Sequence, residues 1–534
     1  MRYRLFVLLM LCLPATLLAQ PFIRSLTIER LDVFDDRQQD WSLGGRIMNA
    51  LHVVTKEYII EDELLFDEGD EVDPDRLLEL ERNLRRTGLF SNVEVRAQTV
   101  SSDSVDVTVI TQDRFSLRPA VLFGLGGGIA NVGAKVDEVN LAGTATYVLG
   151  SGLYRTENDI GAEGMFAVGQ RRLFRSELGM YGSVLTNRFR TDQVLQVYKP
   201  FRTMATPWAM AITGVRSFGR DFLYSGEGLT LLPFQQQTIR GWASYAKGVN
   251  EARQFATIHV DHNATERTVA ASREAFDNTT RMLVSFSSIA QQFQRTSMLD
   301  GFETEDVQIG GWGSAIIGRI LIPDSLGGSM WYIGAEGEQS AYLAPELYVF
   351  GRLGGGSGIR PGRARYTAVE SHLLTHYRIT PRLTLAAQLR QHTVWNWDAF
   401  HQLILDNDAG LRGYRANMLT GDNRIVTNAE LRWMTDWRLW ILGFSGVLFH
   451  DAGTVWNQGD DLRSVRVHHS IGTGIRIHNL KASGEDTTFR FDVAYNVDER
   501  RFSGLLFSVR QLFSAFGSHS FRPPVPFGAT IDNR

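Results

Sequence analysis

Apolar and polar residues alternate along most of the C-terminal part of this chain. From Phe489 to Val497 an apolar residue stands at every second position, and the same period of two runs through 465–477 and 424–433. A period of two is the side-chain repeat of a β-strand. The region from 115 to 513 is therefore predicted to consist of strands that have one apolar face and one face that carries ions.

These predicted strands fit a membrane barrel better than a soluble sandwich. Each is about ten residues long, which is the length that crosses a bilayer when the strand is tilted. Aromatic residues stand near strand ends, as in the interfacial girdles of membrane barrels, at Trp433, Trp437, Trp440, Phe507 and Phe513. Between 16 and 20 candidate strands can be marked, and barrels of this kind have an even number. We predict a transmembrane antiparallel β-barrel of 16 strands, with lipid outside and a wet lumen inside. A secreted protein of several β-sandwiches is the alternative.

The N-terminus has the composition of an export signal. Arg2 and Arg4 precede an uncharged apolar stretch, and small residues lead to a predicted cleavage after Ala19, so that residues 1–19 would be removed. An N-terminal membrane anchor is the alternative, although the apolar stretch is short for a spanning helix. Cys12 is the only cysteine in the chain, and the exported protein would therefore have no disulfide and no thiol chemistry.

A small mixed α/β domain is predicted between the signal and the barrel, over residues 21–114. Asp73–Pro74 begins a leucine-rich helix that ends at Gly88, and alternating strand patterns lie on both sides of it. The barrel region then runs from 115 to 513. A tail that contains prolines follows from 514 to 534.

Composition and motifs argue against several other classes of protein. The formal net charge of −4 excludes a strongly basic nucleic-acid binder. The segment from Gly128 to Lys135 lacks the Gly-Lys-Ser/Thr end of a phosphate-binding loop, and no Gly-x-Ser-x-Gly or His-Glu-x-x-His motif occurs. We therefore predict no cofactor, no metal and no enzymatic activity. A barrel-embedded hydrolase is the remaining enzymatic alternative, because its site would be assembled across strands.

Three elements in the C-terminal third point to a salt bridge inside the barrel. They are Gly410–Tyr414, which contains Arg412 and Gly413, then Glu430 on the ionic face of a predicted strand, and then Phe449–Gly453, which contains Asp451. An arginine on a loop folded into the lumen needs a carboxylate partner. A guanidinium can bind a carboxylate through two parallel hydrogen bonds, which also fixes the orientation of the loop.

The order of these elements resembles the BamA- and TamA-like outer-membrane assembly superfamily, the bacterial surface antigen barrels. The stretch Leu64–Asp70, with the capped helix and Gly88–Val93 after it, resembles a POTRA domain, the periplasmic module of such proteins. The resemblance implies a latch in the lumen in which Phe449 packs on the loop. Its members would be Arg412, Gly413, Tyr414, Glu430, Phe449, Asp451 and Gly453.

The resemblance also implies a location and partners. The barrel would lie in the bilayer of the cell outer membrane, with the POTRA-like domain in the periplasm, where it would meet accessory proteins. The protein would insert or translocate client polypeptide strands without a nucleotide. A passive channel or receptor on the same scaffold is the alternative.

Two segments depart from the pattern of that superfamily. Asp406–Asn407 stands where paired glycines usually precede the arginine motif. A second glycine-rich segment, Leu353–Gly362, carries a proline inside a similar motif. It fits an older copy of the motif, a second inward loop or a glycine-rich turn.

Glycines in the first predicted barrel strand suggest a lateral seam. Gly124, Gly126 and Gly127 would weaken strand pairing. The last predicted strand, which contains Phe507 and Phe513, would lie opposite, and a client strand could pair at the open edge. Curvature of the strand, or room for an inward plug, is the alternative explanation of these glycines.

Overall fold

The protein is described from a computed structural model, whose described residues are 21–34, 49–50, 52–203, 205–225, 228–248, 252–267, 277–296, 305–398, 401–439, 442–479, 488–508 and 519–528. The chain divides into two compact units. The first comprises residues up to 116 together with 139–145, and the second comprises 117–138 and the residues from 146 onward. The predicted export signal lies outside the described residues.

The described part of the first unit contains a three-stranded sheet and helical segments. Its elements in chain order are β1 (Phe22–Leu31), α1 (Glu57–Glu61), α2 (Pro74–Arg86), β2 (Phe90–Thr99) and β3 (Ser104–Asp113). β3 lies in the middle of the sheet, parallel to β1 and antiparallel to β2. Among the described residues, no helix is long and apolar enough to cross a membrane.

The helix α2 supplies much of the core of this unit. The Asp73 carboxylate accepts a hydrogen bond from the backbone N–H of Asp75 at 2.9 Å and so caps the helix. Leu80 and Leu84, one turn apart, are fully buried in a cluster with valines of β3. Gly88, at φ +76°, adopts the left-handed conformation just after the helix ends.

The second unit is a closed barrel of twenty strands, each hydrogen-bonded to its neighbours in sequence order. The strands are β4 (Leu117–Gly126), β5 (Ile129–Glu138), β6 (Thr146–Arg155), β7 (Gly161–Gln170), β8 (Gly179–Asn187), β9 (Arg190–Lys199), β10 (Trp208–Ser225), β11 (Gly228–Lys247), β12 (Ala252–Arg267), β13 (Thr279–Thr296), β14 (Glu305–Leu321), β15 (Met330–Ala344), β16 (Leu347–Arg360), β17 (Arg363–Thr380), β18 (Leu383–Trp395), β21 (Asn423–Leu439), β22 (Leu442–Trp456), β23 (His468–Asn479), β24 (Thr488–Asn496) and β25 (Arg501–Ser508). Two short strands, β19 (Leu403–Leu405) and β20 (Leu419–Gly421), pair with each other outside this ladder.

The predicted number of about 16 strands is therefore wrong. Six strands, β4 to β9, fit into residues 117–199, because turns as short as Gly127–Gly128 and Arg188–Phe189 join them. Glycine and polar residues interrupt the apolar alternation of these strands, so the pattern marks their boundaries poorly. The observed number is the upper end of the 16 to 20 candidate strands that the pattern marks.

The outer face of the barrel is apolar and its inner face is polar. On β12, Ile258 and Val260 are 60% and 41% exposed, whereas Asp261 and His259 between and beside them are almost fully buried. This distribution inverts that of a soluble protein, in which exposed positions carry the charges. It is the arrangement of a barrel whose apolar face contacts lipid.

The barrel wall is uneven in height. The strands from β10 to β17 have 14 to 20 residues, whereas those from β4 to β9, and β24 and β25, have 8 to 10. The predicted strand length of about ten residues holds only for these shorter strands. The glycine-rich segment Leu353–Gly362 lies mostly within β16, and only Pro361 and Gly362 form the turn after it.

We predict that Leu84→Ala destabilises the first unit by about 2–5 kcal/mol, because it removes a fully buried side chain from the core. Leu78→Ala on the same helix is the matched control, since Leu78 is 56% exposed and its removal should change stability by less than about 0.5 kcal/mol. Urea-dependent proteolysis of the full-length protein in detergent measures both. Equal effects of the two substitutions would contradict this packing.

Candidate functional site

A loop between β18 and β21 is folded into the barrel lumen. Residues 401–407 and 409–412 are all buried although they belong to no barrel strand, and β19 pairs with β20 within this segment. On one side the loop is attached to β10, because the Gln402 side chain accepts a hydrogen bond from the backbone N–H of Tyr224 at 2.8 Å. We refer to residues 401–422 as the lumen loop.

Asp406 sets the shape of the lumen loop. One carboxylate oxygen accepts hydrogen bonds from the backbone N–H groups of Asp408 and Ala409 at 3.0 and 2.9 Å, and the other from that of Asn417 at 2.9 Å. Asp406 thus joins both halves of the loop. It does so at the position where the resemblance leads one to expect glycine.

The Arg412 side chain is fully buried, and three carboxylates surround its guanidinium. Nε and Nη2 donate to the two oxygens of Asp451 at 2.7 and 2.8 Å, which is the bidentate geometry. Nη1 donates to Glu430 at 2.8 Å and lies 3.4 Å from Asp492. The guanidinium carbon lies 3.4 Å from the centre of the Phe449 ring, so an aromatic face covers one side of the cation.

Three further arginines complete this charge network. Arg432 donates to Glu430 at 2.9 Å, and Arg476 lies 2.5 Å from Asp492 and 3.6 Å from Glu430. Arg490 lies 3.3 Å from Asp492. Glu430 and Asp492 each face three guanidinium groups, counting that of Arg412. The network is buried and extends across four adjacent strands, β21 to β24, which the lumen loop thereby ties together.

Two glycines of β23 leave space for this network. A Cβ atom at Gly472 would stand 2.3 Å from Cζ of Phe449, and one at Gly474 would stand 1.9 Å from a carboxylate oxygen of Asp492. Any larger residue at either position would displace the ring or the carboxylate. Gly453 on β22, a predicted latch residue, similarly allows the approach of Leu405, which a Cβ atom would meet at 3.0 Å.

The residues after Arg412 hold the loop against β23 and β24. Gly413, at φ +86°, packs so closely that a Cβ atom would stand 2.9 Å from that of Ala494. The Tyr414 hydroxyl donates to the Asp498 carboxylate at 2.7 Å and accepts from the backbone N–H of His469 at 3.2 Å. Every residue predicted for the latch therefore lies in or beside one contact region.

The first and last barrel strands meet at one aligned residue pair among the described residues, Leu125 of β4 with Phe507 of β25. The ring centre of Phe507 lies 5.1 Å from that of Phe123. On its other side β25 is aligned with β24 over most of its length. Phe513, which was also predicted to border the seam, lies outside the described residues.

Two of the three predicted seam glycines lie against the lumen loop. A Cβ atom at Gly126 would stand 2.5 Å from Nδ2 of Asn407, and one at Gly127 would stand 2.9 Å from the backbone nitrogen of Ala416. The Gly127 carbonyl accepts a hydrogen bond from that nitrogen at 2.9 Å. These glycines give room to an inward segment. Gly124 has no such neighbour within 3.9 Å.

Sequence reasoning missed several members of the site. Asp492, Arg476 and Arg490 lie on the ionic faces that the alternation indicates, but alternation does not give the register between strands. Asn428, whose side chain donates to Asp451 at 2.7 Å, was missed for the same reason. A search for charges that share the lumen face of neighbouring strands with Glu430 would have found them.

A comparison with protein families supports the resemblance. Residues 388–509 match the model of the Omp85 superfamily domain. This range contains the lumen loop, Arg412 and all of its partners. The family prediction made from the sequence is confirmed. Among curated proteins, no sequence matches this chain.

Solved structures of outer-membrane barrels are similar at low sequence identity. BamA from Haemophilus ducreyi lacking POTRA domains 1–3 is 13% identical, with 91% of this chain and 83% of that chain covered and a TM-score of 0.41. CdiB from Acinetobacter baumannii is 12% identical, with 92% and 73% covered and a TM-score of 0.43. CdiB from Escherichia coli is 12% identical, with 92% and 76% covered and a TM-score of 0.46.

The barrel and the matched domain together indicate a protein of the outer membrane. Proteins of this superfamily are assembly factors and transporters that act on polypeptides there. In this protein the arginine of the motif, Arg412, is buried among carboxylates from three strands.

We predict that Arg412→Ala releases the lumen loop while the barrel stays folded. Removal of one partner from a buried ion pair costs roughly 3–5 kcal/mol. Asp451→Ala should have nearly the same effect, and the double variant should be less than additive, because each single change already breaks the same contact. Protease sensitivity of the loop, in protein that still migrates as a heat-modifiable barrel, gives the free energy of loop release.

Arg415→Ala is the matched control for this cycle. Arg415 lies three residues further along the same loop and is exposed, so its loss should leave protease sensitivity unchanged. Strict additivity of Arg412→Ala and Asp451→Ala would mean that the bidentate pair of these two residues does not hold the loop. Unchanged protease sensitivity of the loop in both single variants would mean the same.

Proposed function

We propose, from the match of residues 388–509 to the Omp85 superfamily domain, that the protein inserts or translocates polypeptides at the outer membrane without a nucleotide. In this proposal the first unit lies in the periplasm and acts as a POTRA-like module that receives client chains or accessory proteins. The barrel supplies the route, and the lumen loop controls it. Residues of the latch hold and position the loop and do not act as catalytic groups.

The observation that carries this proposal is the position of the lumen loop across the seam. On one side of the seam the loop is bound to β22 and β24 through Asp451 and Asp492. On the other side its Ala416 is bound to Gly127, directly after β4. The loop thus contacts the end of β4 on one side and the neighbour of β25 on the other. It also approaches β25 itself, because a Cβ atom at Gly413 would stand 3.4 Å from that of Ser503. Movement of the loop removes contacts beside both edges together.

A seam that opens sideways exposes unpaired backbone N–H and C=O groups to lipid. Such groups cost several kcal/mol each in the hydrocarbon region, so that an open edge favours pairing with another strand. A client strand that pairs there would satisfy these groups by β-augmentation. Hydrogen bonds and apolar burial of the client would then supply the free energy, which explains how the process needs no nucleotide.

A photo-reactive amino acid at position 125 tests whether clients reach the seam. We predict that it crosslinks newly exported polypeptides in living cells, because Leu125 lies at the junction of β4 and β25. The matched control is position 258 on β12, which also faces lipid but lies within a continuous ladder. Equal crosslinking of polypeptides at both positions would show that the seam has no special role.

A disulfide across the seam tests whether it must open. We predict that Leu125→Cys with Phe507→Cys forms a disulfide, because aligned residues of antiparallel strands have Cα atoms about 4.5–5.5 Å apart, within disulfide range. For this test the photo-reactive amino acid is moved to position 123 of the same strand, which is also exposed, and the disulfide should abolish client crosslinking from there. The control, Phe491→Cys with Phe507→Cys, links β24 to β25 and should leave crosslinking intact.

Reduction of the seam disulfide should restore client crosslinking. If the locked barrel still transports its clients, lateral opening is wrong. The barrel could instead conduct small solutes equally with the disulfide formed and with it reduced, and never crosslink a polypeptide. The passive channel would then be the better description of its function.

A further inference from the structure

The C-terminal residues 519–528, here called the tail segment, lie inside the barrel along the lumen faces of β11 to β17. At its start, the backbone N–H of His519 donates to the Gln308 side chain at 2.9 Å, and the Gln308 amide donates to the His519 carbonyl at 2.8 Å. At its end, Gly528 lies against Trp397, which a Cβ atom would meet at 2.9 Å. The segment therefore runs from the barrel end where β4 begins towards the opposite end.

Phe521 forms the first anchor of the tail segment. Its ring packs among four aromatic rings of the wall with centres 5.0–6.2 Å away, those of Phe201, Trp242, Phe255 and Trp312. Aromatic pairs at such distances stabilise beyond the area that they bury. Without the tail segment, this cluster of rings would face the water of the lumen.

Charged groups form the second contact. Glu338 on β15 is only 6% exposed, and its partners are residues of the tail segment: one oxygen lies 2.9 Å from His519 Nδ1, and the other accepts from Arg522 at 2.8 Å. Arg522 also lies 3.4 Å from Glu336 and packs over Trp312. A nearly buried carboxylate whose partners come from one segment is costly when that segment leaves.

Phe527 forms the second apolar anchor. It is buried with Tyr332, whose hydroxyl accepts a hydrogen bond from the Phe527 backbone N–H at 2.9 Å. Gly354 of β16 makes room for the ring, because a Cβ atom there would stand 2.6 Å from Cε1 of Phe527. The glycine-rich segment that the sequence left unexplained thus forms part of this slot.

The stretch between the anchors is already rigid. Pro523, Pro524 and Pro526 each fix φ near −65° and carry no N–H. An extended segment with this composition loses little conformational entropy when it binds, and it leaves few backbone donors unpaired in the lumen. The wall therefore matches both the side chains and the backbone of the segment.

We propose that the lumen face of β11 to β17 is a binding groove for an extended polypeptide with an aromatic residue, an adjacent arginine, prolines and a second aromatic residue. The tail segment is the ligand that occupies it, and it obstructs the lumen while bound. In the barrel order β18 separates the groove from the latch strands β21 to β24, so the groove is a site distinct from the residues that bind Arg412. The tail segment obstructs the lumen whatever the barrel transports, so this inference does not depend on the proposed function.

Ion conductance of the full-length protein in planar bilayers tests this proposal. The triple variant Phe521→Ala, Arg522→Ala and Phe527→Ala should conduct several-fold more than the unaltered protein. Val525→Ala, a matched control in an exposed position of the same segment, should not. A synthetic peptide of residues 519–528 should lower the conductance of the triple variant, and a peptide of scrambled sequence should not.

A substitution in the wall provides a second test that leaves the tail sequence intact. Gly354→Leu should expel Phe527 and raise conductance, whereas Gly351→Leu on the same strand, where a Cβ atom would meet only Leu373 at 3.9 Å, should not. Heat-modifiable migration identifies the variants that fold. Unchanged conductance in the folded triple variant and in folded Gly354→Leu overturns the proposal, as does an equal rise in the two control variants.

Discussion

The burial of one guanidinium, that of Arg412, is the constraint on which the arrangement of the lumen depends. An arginine without solvent exposure is tolerated only when its charge and its N–H groups are paired. Here the partners come from β21, β22 and β24, and Arg476 of β23 bridges two of them. The loop must therefore reach the wall at one height. The turn made by Asp406, the missing side chains at Gly472 and Gly474, and the Tyr414 hydrogen bonds all serve that position.

The interior of the barrel is filled by segments of its own chain. Twenty strands enclose more space than their side chains fill, and larger barrels hold ligands, plugs or water for this reason. The lumen loop lies against β21 to β24 and the end of β4, and the tail segment lies against the long strands β11 to β17. Both are attached through charge pairs and aromatic rings. Such contacts keep a lumen polar enough for water and still bind a segment strongly.

The sequence could predict the faces of this fold but not its closure. Alternation places Glu430 and Asp492 on the ionic side of their strands, and the motif around Arg412 indicates an arginine that needs carboxylates. The choice of partners also depends on register, which short-range periodicity does not contain, so that Asp492 and Arg476 were not found. The tail segment was missed because an extended, proline-containing stretch has no pattern that names the surface it packs on.

Glycine in these strands illustrates why one residue type supports opposite interpretations. Gly126 and Gly127 fit the idea of weakened pairing, yet both lie where a Cβ atom would collide with the lumen loop. Gly354 stands in the same relation to Phe527 of the tail segment. In a barrel wall, a glycine on the lumen face removes a side chain from the interior without removing a ladder hydrogen bond. Gly126, Gly127 and Gly354 therefore mark places where an inner segment approaches the wall.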